Sequence, residues 1–516
     1  MAPDVAVQTR SPVVETASGK VSGYTSDGVH VFKGIPYGAP TSGAGRFLPP
    51  RKPEPWSGVR EATAYAGRSP QAAANPQRPE LATVWGPIDT LPVGEDCLTV
   101  HAWTPSLDNA RRPVMVWLHG GAFSYGSANS PRYDSTNLAR RNDVVVFALN
   151  HRLNIFGHLD LSAVGGERFA SSGNVGVLDL VQGLEWVREH AARFGGDPNN
   201  VTIFGQSGGG GKVCALLAMP RAKGLFHKAI VQSGASVRFA EPERTTRLAD
   251  AVLKHFGLGK GDIDKLQALP LEKLQTAVAP AQATLPRPKL PLLDRYNFGP
   301  VIDGKVLPAH PFDPAAPAFS DDVPVMVGDT KDESAIFLAP DDAVWTRSLS
   351  EEELAKRIKA VAGDKADKLL AYYKDGAPAD RLITALTASN FGVRSIMLAE
   401  RKAARKKAPV WAYDFAWETP AFGGRLKSCH SVEVPFVFDT LHVIGAHHIK
   451  PGAQALADKV SKTWATFART GKTDWPAYDA AKRTTMVFDD HCRTVDDPDG
   501  AVRPLWQEAA LIPLPR

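Results

Sequence analysis

Six short apolar runs rich in β-branched residues constrain this chain more than any other feature. They are 114–118 (VMVWL), 144–149 (VVVFAL), 201–204 (VTIF), 229–231 (AIV), 323–327 (VPVMV) and 410–415 (VWAYDF). Apolar side chains at consecutive rather than alternate positions mark strands buried on both faces, as in a parallel sheet sandwiched by helices. Between the second and third runs, 178–194 carries Leu180, Leu184, Trp186 and Val187 at helical spacing. It closes at Gly195-Gly196, and Asp197-Pro198 predicts a turn there. No internal repeat, low-complexity tract or long Gly/Ser linker divides the chain. The expectation is therefore one α/β domain over residues 1–516, with a central, mostly parallel sheet, helices on both faces and helical insertions.

Five of those runs lead directly into glycine-rich, polar segments. These are His119-Gly120-Gly121-Ala122-Phe123, Asn150-His151-Arg152-Leu153, Gly205-Gln206-Ser207-Gly208-Gly209, Gln232-Ser233-Gly234, and Gly328-Asp329-Thr330-Lys331-Asp332-Glu333. Ligands of open parallel sheets bind beyond the carboxyl ends of the strands, so an active site is expected there.

Composition narrows the function classes. With 43% hydrophobic and 22% charged residues, the chain has the balance of an ordinary globular protein, not a collagenous or disordered one. Its 60 Lys+Arg against 55 Asp+Glu leave only +5, which gives no reason to expect a nucleic-acid partner. The basic run 401–407 (RKAARKK), interspersed with alanine, reads as the wet face of a helix. The cysteines Cys97, Cys214, Cys429 and Cys492 are too few for a disulfide scaffold and form no CxxC pair. No apolar run reaches the roughly 18 residues of a membrane span. The N-terminus has neither the basic nor the apolar region of a signal peptide. A cytoplasmic chain is expected, or a secreted or periplasmic one whose leader has been removed.

Gly205-Gln206-Ser207-Gly208-Gly209 fits G-x-S-x-G between a strand and a helix. The sharp turn lifts Ser207 clear of the backbone, and small neighbours let strand and helix pass closely. A serine hydroxyl is a poor nucleophile at neutral pH and needs an adjacent base. The glycines Gly208 to Gly211 each cost about 1 kcal/mol relative to alanine within a helix, which points to close approach of backbone or substrate rather than stability. His119-Gly120-Gly121-Ala122 fits a loop completing an oxyanion hole, whose backbone N–H groups stabilise the negative oxygen of an attacked carbonyl. Base and acid are expected downstream in the order Ser, Asp/Glu, His. His430 stands out in the loop after the last run; for the acid, Asp332 and Glu333 are offered equally. There is no HExxH, P-loop or GxGxxG after the first strand, so neither metal nor cofactor is expected.

Together these segments resemble the type-B carboxylesterase/cholinesterase family of the α/β-hydrolase fold. The resemblance runs from Phe32-Lys33-Gly34-Ile35-Pro36-Tyr37-Gly38 and Arg46-Phe47, through Glu95-Asp96-Cys97-Leu98 and the motifs above. It continues to Pro300-Val301-Ile302-Asp303-Gly304, the His430 segment and Trp475-Pro476. It implies a serine carboxylesterase with Ser207 as nucleophile, His430 as base and Glu333 as the third triad member. Gly121, Ala122 and Gly208 are implied as oxyanion donors. The implied substrates are uncharged carboxylic esters of small to medium size. The same triad could serve an amide, carbamate or lactone. A catalytically silent recognition domain on this fold typically lacks a triad member, and all three candidates are present.

The chain departs from the family's pattern in three places. Alanine stands at Ala122 where a third glycine is frequent, and glycine stands at Gly208 in place of alanine. Both keep the backbone N–H, and the Ala122 methyl is expected to narrow the room for bulky groups. Cys97 lacks its usual disulfide partner, since the upstream segment reads Ser69-Pro70-Gln71. The loop beside the gorge is therefore expected to be mobile. Tyr296 and Phe298 align with the acyl-pocket stretch. Trp85 falls in the gorge loop, but its spacing from Cys97 does not match a cation-binding tryptophan, so core packing is expected for it. Ser233 and Glu433 are second-layer partners or structural residues.

Overall fold

The computed structural model describes residues 9–72, 78–81, 84, 86–87, 89–285 and 298–510. Its strands, in chain order, are β1 (Thr9–Thr16), β2 (Gly19–Ser26), β3 (Val29–Pro36), β4 (Val59–Glu61), β5 (Thr99–Thr104), β6 (Arg112–Leu118) and β7 (Val145–Leu149). They continue with β8 (Gly196–Gln206), β9 (Lys228–Gln232), β10 (Val325–Thr330), β11 (Val410–Phe415), β12 (Thr485–Phe488) and β13 (Arg493–Val495). They form one sheet in the order β1-β2-β3-β5-β7-β6-β8-β9-β10-β11-β12-β13, with β4 beside β2. From β7 to β12 every neighbour is parallel, while β1, β2, β3 and β5 join antiparallel at one edge and β13 at the other.

The parallel strands are buried on both faces, as their continuous apolarity predicts. On β6, Met115 and Trp117 enter one apolar cluster while Val114, Val116 and Leu118 enter another on the opposite face. On β7, Val146 and Ala148 separate from Val145, Phe147 and Leu149 in the same way. Each large apolar side chain buried there stabilises the fold by roughly 1.5–3 kcal/mol relative to exposure. The helix expected over 178–194 is found as Val175–His190, extended by a 3-10 turn at Ala191–Phe194.

Two expectations are corrected. The turn expected at Asp197-Pro198 lies inside β8, whose register against β6 shifts between Arg112 and Val114 and absorbs the proline at the sheet's margin. The basic run is not simply a wet face. Lys402 is buried and donates to the Ser320 carbonyl, Arg401 pairs with Asp313 at 3.0 Å, and Arg405 grips Asp321 with bonds of 2.6 and 2.5 Å. These side chains fasten the helix Val393–Ala404 to the segment leading into β10. One helical stretch, Pro378–Ala404, is apolar and long enough for a bilayer by length and composition alone. Its buried Leu398 and Ala399 belong to the apolar layer of one sheet face, the packing of a core helix.

Candidate active site

β8 ends at Gln206, and the chain turns at Ser207 (φ 59°, ψ −124°) into the helix Gly208–Ala218. A serine at positive φ is strained, so the surrounding contacts must impose it. Ser207 N–H donates to the Gln232 carbonyl at 2.8 Å, and Gly211 N–H donates to the Ser207 carbonyl at 3.1 Å. A Cβ at Gly209 would lie 2.0 Å from the Leu118 carbonyl oxygen, so helix and β6 meet backbone to backbone.

The loop after β6 folds against that elbow. Ser124 and Tyr125 N–H donate to the Gly121 carbonyl at 3.2 and 3.1 Å, while Ala122 adopts φ 52°. The N–H groups of Gly121, Ala122 and Gly208 have no intramolecular acceptor among the described residues. A Cβ built on Gly208 would lie 2.1 Å from Ala122 O and 2.4 Å from Ala122 N. The glycine at 208 is therefore required by the path of the backbone at Ala122. Beneath the loop, Lys212 Nζ donates to the carbonyls of His119 and Ala122, each at 2.9 Å.

On the other side, Glu333 is fully buried at the end of β10. Its Oε1 accepts from Thr330 N–H at 2.8 Å, and its Oε2 accepts a short bond from His430 Nδ1. Asp332, the other carboxylate offered by the sequence, turns the opposite way: its N–H donates to the Ser428 carbonyl at 2.9 Å, and its Oδ2 lies 3.4 Å from Ser428 N. With Nδ1–H given to Glu333, Nε2 keeps its lone pair, and Gln206 Nε2 sits 3.2 Å from it. The His430 ring packs against Phe337 and Phe391, with centroids 5.0 and 5.3 Å away. Phe391 belongs to a π-helical turn, Ala388–Gly392, a local widening frequent at functional sites.

Behind Glu333, Glu433 is buried, and its Oε1 accepts from Gln232 Nε2 at 3.3 Å. Burial, and then the charge of Glu333, push the Glu433 carboxyl up to about 7. Asp329 is raised well above the ordinary range by the same two causes in the same order. Ser233 is buried with its hydroxyl unpartnered among the described residues.

Of the aromatic residues expected to line the pocket, Phe298 is buried with Phe47, Ile155, Phe156 and Leu248 in a satellite apolar cluster. Tyr296 and Trp85 lie outside the described residues. Gln206, Lys212, Phe337 and Phe391 were not singled out by sequence. Lys212 carried a signal, being the one charge in an otherwise glycine and apolar helix, GGGGKVCALLA.

Cys97 is buried and free, and burial pushes its thiol up to about 12. The neck of the gorge loop is closed by main-chain bonds instead: Arg68 N–H to Pro92 O at 3.0 Å and Gly94 N–H to Arg68 O at 2.9 Å. Gln71 grips Gly126 through both ends of its amide, at 2.7 and 2.9 Å, and Leu153 N–H donates to Ser69 Oγ at 3.2 Å. The expected mobility concerns a stretch that includes 73–77, 82–83, 85 and 88, which lie outside the described residues. Among the described residues, no group of three or more His, Cys, Asp or Glu side chains is arranged to hold a metal ion.

Comparison with known proteins gives a consistent picture. The Carboxylesterase family profile matches residues 10–500. The para-nitrobenzyl esterase of Bacillus subtilis (strain 168) is 37% identical over 508 residues, covering 95% of this chain and 97% of that protein. The phenmedipham hydrolase of Pseudarthrobacter oxydans is 33% identical over 502 residues, covering 93% and 95%. A crystal structure of a Geobacillus stearothermophilus carboxylesterase superposes with a TM-score of 0.82 at 36% identity, covering 96% of this chain and 100% of that one.

Proposed function

From the carboxylesterase family, to which this chain belongs and which makes it a serine hydrolase of carboxylic esters, we propose that its acyl-enzyme forms on Ser207. His430 is the general base and Glu333 the residue that orients it. The observation that carries this assignment is the Glu333 Oε2 bond to His430 Nδ1, which leaves Nε2 as an acceptor, 3.2 Å from the side-chain amide of Gln206, the residue before Ser207. In the first half-reaction Ser207 Oγ bonds to the ester carbonyl carbon while its proton passes to His430 Nε2. The carbonyl π pair becomes an oxyanion, held by the N–H groups of Gly121, Ala122 and Gly208. His430 then protonates the departing alcohol, and water repeats the sequence in reverse roles.

Uncharged esters of small to medium size are the proposed substrates, and the aromatic surroundings of the site support that reading. Phe337 and Phe391 present aromatic surface beside His430, and Phe123 packs edge-on to Phe239 at 6.0 Å. The Ala122 methyl takes up room beside the oxyanion loop.

The test is hydrolysis of p-nitrophenyl acetate, butyrate and octanoate by the wild type and Ser207→Ala, with fluorophosphonate labelling of both. Turnover and labelling that vanish in a folded Ser207→Ala protein, with activity highest on the shorter acyl chains, are the expected result. Undiminished turnover in the variant would overturn the assignment.

A further inference from the structure

Lys212 stands five residues after Ser207 on the helix Gly208–Ala218, and none of its surface reaches solvent. Its Nζ binds the carbonyl oxygens of His119 and Ala122 and sits 5.4 Å from the centroid of the Phe123 ring. Among the described residues no carboxylate pairs with it. The titratable groups facing it are His119 after β6, His151 after β7 and His158 at the end of the short helix Asn154–His158. Arg132 adds positive charge at His119 from the turn Pro131–Tyr133. All three imidazoles are held below their ordinary range, by burial first and with the charge of Lys212 as a further cause, so none of them balances the ammonium.

An unpaired buried cation is unfavourable, and the two carbonyls accept two of its three hydrogen bonds without cancelling its charge. Stability alone does not account for such a group directly under the candidate oxyanion loop. Taking Ser207 as the acylated residue, we propose that Lys212 is a positioning residue of the oxyanion hole whose ammonium finds its counter-charge only in the tetrahedral intermediate. Two effects combine. Gripping the carbonyls of His119 and Ala122 fixes the peptide planes on either side of the Gly121 and Ala122 N–H donors. The buried positive charge also favours a negative oxygen over a neutral carbonyl, so its contribution is larger in the transition state than in the bound ester.

This arrangement has a pH signature. Burial pushes the Lys212 ammonium down to about 7. The charge is present below that range and leaves as pH rises through it, whereas His430 must be neutral to act as base. Turnover is therefore limited by Lys212 on the alkaline side.

The test measures kcat for p-nitrophenyl butyrate from about pH 5.5 to 9.5 in wild type, Lys212→Met and Lys212→Arg. It adds inhibition by a trifluoromethyl ketone. That ketone takes Ser207 Oγ at its carbonyl carbon, passes the serine proton to His430 and leaves an anionic hemiketal oxygen in the hole. Expected are an alkaline limb in the wild type and a kcat lower by roughly 30- to 300-fold in Lys212→Met, with the limb gone. Lys212→Arg, charged throughout, recovers part of the rate without the limb. In the wild type the ketone should bind progressively more weakly as pH rises above neutrality. This last measurement needs no variant and decides the matter should Lys212→Met fail to fold. A wild-type inhibition constant that does not weaken above neutrality overturns the proposal, as does a Lys212→Met enzyme within about two-fold of wild type and with its alkaline limb intact. If fluorophosphonate leaves Ser207 of the wild type unlabelled, the assignment of the nucleophile fails instead, whatever Lys212 does.

Discussion

Gln206 and His430 are hydrogen-bonded: the side-chain amide of the residue before the candidate nucleophile reaches the imidazole Nε2 at 3.2 Å. That nitrogen carries the lone pair that must receive the serine proton, so the amide holds the base until substrate arrives. A carboxylate there would act differently, since a negative neighbour favours the protonated imidazole. Gln206→Glu is expected to favour the protonated ring of His430. The acid limb of the kcat/KM profile then moves to higher pH, and activity is lost chiefly below neutrality. An unmoved acid limb would mean that the two side chains part in solution.

Glu333 and Asp332 are adjacent, but only Glu333 meets His430. Glu333→Gln is expected to lower kcat about a thousand-fold or more with little change in KM, because the imidazole loses the partner that fixes its tautomer. Asp332→Asn is expected to keep kcat within a few-fold and to lower the melting temperature, through its contacts with Ser428. Reversed effects in steady-state kinetics would exchange the two roles.

Gly208→Ala introduces the residue more frequent in the family, yet here its Cβ would enter the Ala122 backbone. The oxyanion loop must retreat, and a loss of about a hundred-fold or more in kcat is expected, comparable to removing one donor. Pairing it with Ala122→Gly should recover part of the loss, because glycine lets the loop take another path. Single and double variants assayed on p-nitrophenyl butyrate check this.

Glu433 offers a test through stability. Its carboxyl rises from an ordinary value of 4.5 to about 7, chiefly by burial. A raised carboxyl pKa leaves stability intact below about pH 4.5, and stability falls as pH climbs toward 7. The shift corresponds to about 3 kcal/mol above that window. Glu433→Gln is expected to remove this dependence, narrowing the difference between urea midpoints at about pH 5 and pH 8. An unchanged difference would place the titration elsewhere.

The parallel half of the sheet and the elbow were legible in the sequence because both write themselves locally. Strands buried on two faces cannot alternate, and the turn at Ser207 requires glycines where β6 touches the helix. β1 was not legible: it exposes most of its residues and mixes Thr, Ser, Arg and Glu among its valines. β12, with only Thr485–Phe488, is too short to stand out. The choice between Asp332 and Glu333 depends on which side chain returns toward Thr330 and His430, a question of three-dimensional direction that spacing does not carry. Gln206 occupied the free position of G-x-S-x-G, where a pattern gives no reason to look. Phe298 aligns with the acyl-pocket stretch of the family, whereas its ring joins the apolar cluster around Phe156.

The neck of the gorge loop is closed by Arg68, Pro92 and Gly94 through main-chain bonds, while Cys97 stays a buried thiol. Its closure therefore owes nothing to an oxidant. Folding in the presence of dithiothreitol should give the same catalyst as folding in air. Mild alkylation should consume the partly exposed Cys492 ahead of the three buried thiols. The fold of this esterase is held without a disulfide.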